Sequence, residues 1–339
     1  MKKSIFTLAI LLCALIGKAQ VTDEQSAILQ NGDNAQIFYG ADALKEALAA
    51  APDRGATITL SAGTFNGAEV TKCVNIYGAG WIENKTPRDN DNPADNSILP
   101  TIISSSLSIN ISEELTAPHN IHIEGVKLNT RMYVAKSIDG LEMMKCYLND
   151  ALSISAENKN IVLTQCFDNG GVGGLGDAII QNCYISNLNS ISVRSAESKI
   201  VVDHCVIAGG YYAYNGTCKY LCTNSMIFTG GNPVPPSSTF RFCMIDAASI
   251  SNMGSTDNWF GINWGAIFDD AVNIYYNDNR TWKMKDEAKA IYIGSDGTEV
   301  GINGGKNPWN KTPHTPLVKD LKLNIDGTQL KVNYTTKVR

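Results

Sequence analysis

The residue types that could carry chemistry in this chain are nine cysteines, four histidines and a few adjacent polar pairs. Thiols in an exported chain suggest disulfides, and thiolates in CxxC pairs beside histidines suggest zinc. The chain has no CxxC pair, and its histidines are scattered, so the sequence predicts no zinc site. Val202-Asp203-His204-Cys205 sets a carboxylate, an imidazole and a thiol side by side. Asp269-Asp270, in IFDDAV, is an adjacent acidic pair, expected to be solvated. GxSxG, HExxH and Walker sequences are absent. Gly170–Gly176 (GGVGGLG) is no phosphate loop, because no helical pattern follows it.

What positions these residues is a repeat of about twenty residues. The segments around Val126, Cys146, Cys166, Cys183, Cys205, Ser225 and Cys243 align at spacings of 20, 20, 17, 22, 20 and 18. Three residues before each key position stand Ile123, Met143, Leu163, Ile180, Val202, Cys222 and Phe240. Two residues after it stand Leu128, Leu148, Asp168, Ile185, Ile207, Ile227 and Ile245. Apolar residues two apart face one side of a strand. The polar column between them (Lys145, Gln165, Asn182, His204, Asn224) marks a bend. After a second polar corner comes a third short strand, as in Met132–Val134, Leu152–Ile154 and Ile191–Val193.

Three strands and three corners per repeat predict one coil of a parallel β-helix, with equivalent residues stacked about 4.8 Å apart. The cysteines then have a packing role, since five of them share one inward column as small apolar side chains. Neighbouring coils lie within disulfide reach, and Cys218 and Cys222, placed apart from that column, are candidates to pair. Ala41–Ala51 (ADALKEALAAA) has strong helix propensity and is expected to cap the N-terminal end. The first strands are predicted at Ala56–Leu60 and Val74–Tyr77, and Pro87–Ala94 as a loop. Leu321–Ile325 and Gln329–Tyr334 flank Asp326-Gly327, a hairpin signal. That hairpin would cap the last coil or stand as an appendage.

The N-terminus carries Lys2-Lys3, an apolar run from Ile5 to Ile16, and Gly17-Lys18-Ala19, which predicts a signal peptide over residues 1–19. Leu12 before Cys13 argues against a lipoprotein. Removing Lys2, Lys3 and Lys18 takes the formal charge from −5 to −8. An acidic chain without a basic run makes nucleic acid a poor partner. No later segment is apolar for long enough to cross a bilayer. The expected organisation is a β-helix over 20–312, regular from about 57 to 250 and irregular over 251–312, with a hairpin tail over 313–339. The expected location is outside the cell or in its envelope, the periplasm included.

DALKEALAAAPDRGATITLSAGTF followed by VNIYGAG resembles the opening of pectin-lyase-like right-handed β-helix proteins. EAKAIYIGSDGTEVGINGG (Glu287–Gly305) is similar to a segment near the end of secreted β-helix proteins of Bacteroidetes. The resemblance, from about Ile37 to Gly305, implies an all-β right-handed parallel β-helix. It does not imply an activity, since that superfamily holds lyases, hydrolases, epimerases and adhesins. Asp203-His204 resembles the Ile-Asp-His stretch of pectate lyases, but the family's R-x-P-x-x-R is absent. The N-T-D, G-H-G and R-I-K signatures of polygalacturonases are absent too. His204 is therefore expected to be a corner residue, and no catalytic residue is assigned.

A binding surface is expected on the outer face of the third strands. One outward row holds Tyr133, Ser153, Ser192 and Tyr212, and the next Ala135, Ser155, Arg194 and Tyr214. The glycine-rich coil crosses that face and should leave a dent. Tyr133, Arg194, Tyr212 and Tyr214 suit sugar recognition by ring stacking and charge-assisted hydrogen bonds. Equally, the glycines close the shortest coil and the tyrosines are ordinary strand formers. Trp259, Trp264, Trp282 and Trp309 are expected to pack a C-terminal core on the last coils, or to offer a second stacking surface. The leading function is a carbohydrate-interacting envelope protein. The alternatives are a polysaccharide lyase on uronic-acid-containing glycans, with Arg131, Lys136 and Arg194 as the available bases, or a structural adhesin. No cofactor is assigned, although Ca²⁺ at the corners fits this fold.

Overall fold

The structure, a computed structural model, describes residues 25–82, 99–186, 191–195, 197–208, 220–229, 239–248, 257–268, 281–314, 317–326 and 329–337. The predicted signal peptide, Cys13, the loop Pro87–Ala94, Tyr212, Tyr214, Cys218 and Asp269-Asp270 lie outside the described residues. Within them the chain is a parallel β-helix of about 7 turns. The first sheet runs from Arg54–Leu60 through Ile121–Glu124, Ile138–Met144 and Asn158–Thr164 to Thr239–Arg241. The second runs from Gly63–Phe65 to Met244–Ile245, and the third from Glu69–Val70 to Ile191–Val193.

The register follows the sequence columns. Ile123, Met143, Leu163, Ile180, Val202, Cys222 and Phe240 pair in succession on the first sheet. Leu128, Leu148, Asp168, Ile185, Ile207, Ile227 and Ile245 do so on the second. Both columns are buried, as is the key column between them.

The bend has a backbone cause. Lys145, Gln165, Asn182, His204, Asn224 and Phe242 all have φ near +50°. Left-handed backbone at a residue bearing Cβ costs about 1 kcal/mol or more, so this column must recover that energy elsewhere. The cysteines that follow turn their thiols back onto bend carbonyls. Cys146 Sγ donates to Ile123 and Met144 O at 3.4 and 3.3 Å, and Cys205 Sγ to Asp203 O at 3.3 Å. Ser225 fills the same position and its hydroxyl donates to Thr223 O at 2.7 Å. From Cys146 to Cys243 the column therefore holds a short side chain with a donor, a requirement beyond apolar size, whereas Val126, which follows Gly125, is simply apolar. Cys73, Cys146, Cys166, Cys183, Cys205, Cys222 and Cys243 are all free and buried. Cys222 points inward too, its sulfur 3.9 Å from that of Cys243. Burial pushes the Cys146, Cys183 and Cys222 thiols up, which keeps them unreactive.

The N-terminal end is closed by more than the expected helix. Helix α1 (Ala43–Ala50) buries Ala43, Leu44, Ala47 and Leu48. A hairpin of Ser26–Asn31 and Asn34–Tyr39 also pairs antiparallel with Arg54–Leu60 and so covers the first edge. At the other end Trp259 N donates to Cys243 O, and the Asn258 side chain bonds Cys243 N and Phe240 O. Residues 257–262 thus close the last coil.

The chain then returns along the bend as a strap, and there the left-handed column is stabilised. Asn224 Oδ1 accepts from Ser295 N at 2.8 Å. Asn182 Nδ2 donates to Ile302 O and Gly304 O at 2.9 and 2.8 Å. Gln165 donates to the Asn307 and Pro308 carbonyls, and Lys145 to Thr312 O at 2.7 Å. Under the strap lies a second core on the outer face of the second sheet, where Trp81, Tyr147, Phe167 and Tyr184 form a row. Tyr147 and Phe167 stack at 4.5 Å, Phe167 and Tyr184 at 4.8 Å, the spacing that parallel coils impose. Trp264 and Trp282 are buried in this core, and Trp259 and Trp309 pack against it. The hairpin at Leu317–Asp326 and Gln329–Lys337 follows. It starts just after His314 beside Glu124, far along the stack from the last coil.

Candidate functional site

The third sheet has the opposite surface. Apart from Tyr133 its outward residues are small or polar, and nothing described covers them. Where this sheet turns into the first, a groove of about 830 Å³ opens across successive coils. A second depression of about 490 Å³ adjoins it and shares Ala117, His119 and Ser137. Together they run along the stack from the coil of Ser112 to that of Ser198.

The walls are held by backbone capping. Asn158 uses its whole amide: Nδ2 donates to Ala156 and Gly174 O, and Oδ1 accepts from Gly176 N at 2.8 Å. His119 Nδ1 accepts from Asp139 N at 3.0 Å. Its proton therefore sits on Nε2, which donates to Leu115 O at 3.2 Å. Ser198 donates to Leu175 O. Asp139 holds Asn160 at 2.6 Å and Lys159 at 3.1 Å. The Asn160 amide and then the Lys159 ammonium keep its carboxyl below the ordinary range.

The glycines shape this wall. A Cβ on Gly174, where φ is +77°, would sit 2.0 Å from Ile154 O, and one on Gly176 2.0 Å from Asn158 O. These glycines let a short coil nest against its neighbour. Gly176 also lines the groove floor, so close packing and the dent have one source.

Arg194 is brought into this groove. Its backbone N–H donates to Leu175 O, and its guanidinium donates to Ser155 O at 2.7 Å. Tyr133 is 43% exposed in the row of Ser153 and Gly173, outside the groove lining. The Arg131 guanidinium lies 5.8 Å from its ring centre. Tyr212 and Tyr214 lie outside the described residues. Arg131 is paired with Asp150 at 3.7 Å and Lys136 with Glu113 at 3.3 Å. The groove adds residues that the rows did not single out, Asp139, Glu157, Lys159, Asp177 and Glu197. They come from the corner between third and first strands, where the repeat had no apolar column to align. The charge-rich runs ENKN and SAESK were the available signal.

Asp203 and His204 belong to the strap contact. His204 is 1% exposed. Its Nδ1 meets Asp203 Oδ2 at 2.9 Å and its Nε2 meets Thr298 Oγ1 at 3.1 Å. Asp203 also accepts from Thr223 and Asn224. Hydrogen bonds from His204, Thr223 and Asn224 outweigh burial and hold its carboxyl low. A corner role accounts for both residues. Among the described residues no three His, Cys, Asp or Glu side chains are grouped to hold a metal ion, and no helix is long and apolar enough to cross a membrane. No family model matches the chain, and no curated protein or solved structure matches it. What it is similar to is therefore defined by its own architecture, a parallel β-helix with one sealed flank and one open one.

Proposed function

We propose that this chain is a glycan-binding protein of the cell exterior or envelope, of the pectin-lyase-like β-helix type, and that the groove beside Arg194 holds the ligand. The observation that carries this is the open groove itself. It runs along the stack, as an extended polymer requires, and is lined by hydrogen-bonding and charged groups with small residues at its floor. Its charge narrows the ligand class. Asp139, Glu157, Asp177 and Glu197 stand against Lys159 and Arg194. Lys159 is paired with Asp139, and Arg194 spends one donor on Ser155 O. A surplus of carboxylates repels a uronate polymer and favours a neutral or amino-sugar glycan. A uronate chain would need Ca²⁺ between itself and the groove.

Native electrophoresis of the mature protein through gels containing neutral, amino-sugar or uronate polysaccharides tests this, with and without Ca²⁺. Retardation by a neutral or amino-sugar polymer is expected. Free migration in every gel removes the glycan reading and leaves the adhesin. A cleared zone in a uronate gel replaces it with a lyase.

A further inference from the structure

The far end of the strap is fastened by charged groups in addition to the packing of Trp309. Glu124 is 1% exposed on the first sheet. Its Oε1 accepts from the backbone N–H of His314 at 2.7 Å and from His314 Nδ1 at 2.9 Å. Its Oε2 lies 3.3 Å from His122 Nε2. On the other side of the same ring, His122 Nδ1 lies 2.9 Å from Glu142 Oε2. Lys145 Nζ donates to Thr312 O at 2.7 Å and stands 3.4 Å from His314 Nε2.

The donors and acceptors fix the proton positions. An ammonium can only donate, so His314 Nε2 accepts from Lys145 and its Nδ1–H donates to Glu124. His122 has a carboxylate oxygen at each ring nitrogen, and only the imidazolium donates from both. With His122 charged, two carboxylates face two cations and the cluster is neutral. With His122 neutral, one of its ring lone pairs points at a carboxylate oxygen. Buried Glu124 then keeps Lys145 as its one neighbouring cation.

We propose that His122 is a proton-operated latch: as a cation it holds Glu124 on the strap, and on losing its proton it frees residues 307–314 and uncovers the Trp81–Tyr147–Phe167 row. The freed stretch carries Trp309, which packs on that core, and Lys311, whose ammonium lies 5.8 Å from the Trp81 ring centre. The described titratable groups facing His122 and Glu124 are Tyr77, whose ring is 5.1 Å from that of His122, together with Glu142, Lys145 and His314. Burial lowers the affinity of His122 for a proton, but hydrogen bonds and charge from Glu124 and Glu142 outweigh it and raise its pKa. Burial of Glu124 is likewise outweighed, by His122 and His314, and its pKa is lowered. A raised histidine holds its proton below its ordinary range and loses the associated stability as pH rises through the raised value. A lowered carboxylate keeps its charge well into acid. The latch is therefore closed in mild acid and opens as pH rises through the raised value.

Amide hydrogen exchange of the mature protein, corrected for intrinsic rates, tests this between about pH 6 and about pH 9. Protection of 307–314 should fall about tenfold or more, while that of the inward ladder around 143–163 stays constant. Glu142→Gln removes one of the two carboxylates that hold the proton, from a half-exposed position that leaves the fold intact. It should move the opening to lower pH. Strap protection that is flat with pH in the wild type, or an opening unmoved in Glu142→Gln, overturns the latch.

Discussion

The two outer flanks of this β-helix are built from the same repeat and end in opposite states. On the second sheet the residues after the key positions from Cys146 to Cys243 are Tyr147, Phe167, Tyr184, Val206, Met226 and Met244. That row is apolar, and the returning chain seals it into a second core. On the third sheet the outward row is Ser108, Tyr133, Ser153 and Gly173, and it stays open beside the groove. The difference teaches that the inward columns set the coil while the outward ones set its use. A flank with apolar outward residues must be covered, and a flank with small polar ones is free to meet a ligand.

The sharpest break in this comparison is one that abolishes both flanks. Cys183→Arg places an unpaired charge in the inward column, 1% exposed, where the thiol now bonds Leu163 and Gln181 O. The cost should exceed about 4 kcal/mol. Thermal unfolding checks it, and a wild-type midpoint would refute the inward ladder. Cys183→Ser, by contrast, should fold, because Ser225 already shows that a hydroxyl fits this column.

Next comes a change that acts on the sealed flank alone. Asn182→Ala leaves the strap carbonyls of Ile302 and Gly304 without their donor and keeps the bend at φ +49°. A loss of about 3 kcal/mol is expected, the sum of two stranded acceptors and a left-handed alanine. Chemical denaturation measures it, and retained glycan binding would show that the open flank does not depend on the strap.

How legible was this in the sequence? The inward columns were, because period-two burial leaves the same apolar types at each turn. The bend was legible as a polar column, but its left-handed backbone and its grip on the strap were not. Lys145, Gln165 and Asn224 contact residues 70 or more positions away, and no local pattern announces such a partner. The aromatic row was visible in principle, since Tyr147-Leu148, Tyr184-Ile185 and Met226-Ile227 put apolar residues on both faces of a strand. That pattern means burial on both sides. Of the candidate site, Arg194 and the glycine coil were legible, because they fall on the repeat. The carboxylates Glu157, Asp177 and Glu197 were not, because corners carry no periodic signal. The N-terminal hairpin at Ser26–Tyr39 has only a local signal, the turn sequence Asn31-Gly32-Asp33-Asn34, because it lies outside the repeat.

The smallest expected effect tests the open flank. Arg194→Ala removes an exposed side chain whose one described side-chain bond is to Ser155 O. Surface truncations of this kind change stability by less than about 0.5 kcal/mol, so unfolding should match the wild type. Glycan affinity should nonetheless fall about fivefold, the value of one hydrogen bond near 1 kcal/mol. The paired variant Glu157→Gln with Glu197→Gln leaves the guanidinium in place and lowers the carboxylate surplus. It should strengthen retention by uronate polymers relative to neutral ones. If Arg194→Ala leaves binding unchanged while the glutamine pair alters it, the ligand lies along the carboxylate wall rather than against the guanidinium. If neither variant changes binding, the ligand sits elsewhere on the open flank, and Tyr133 becomes the first place to look.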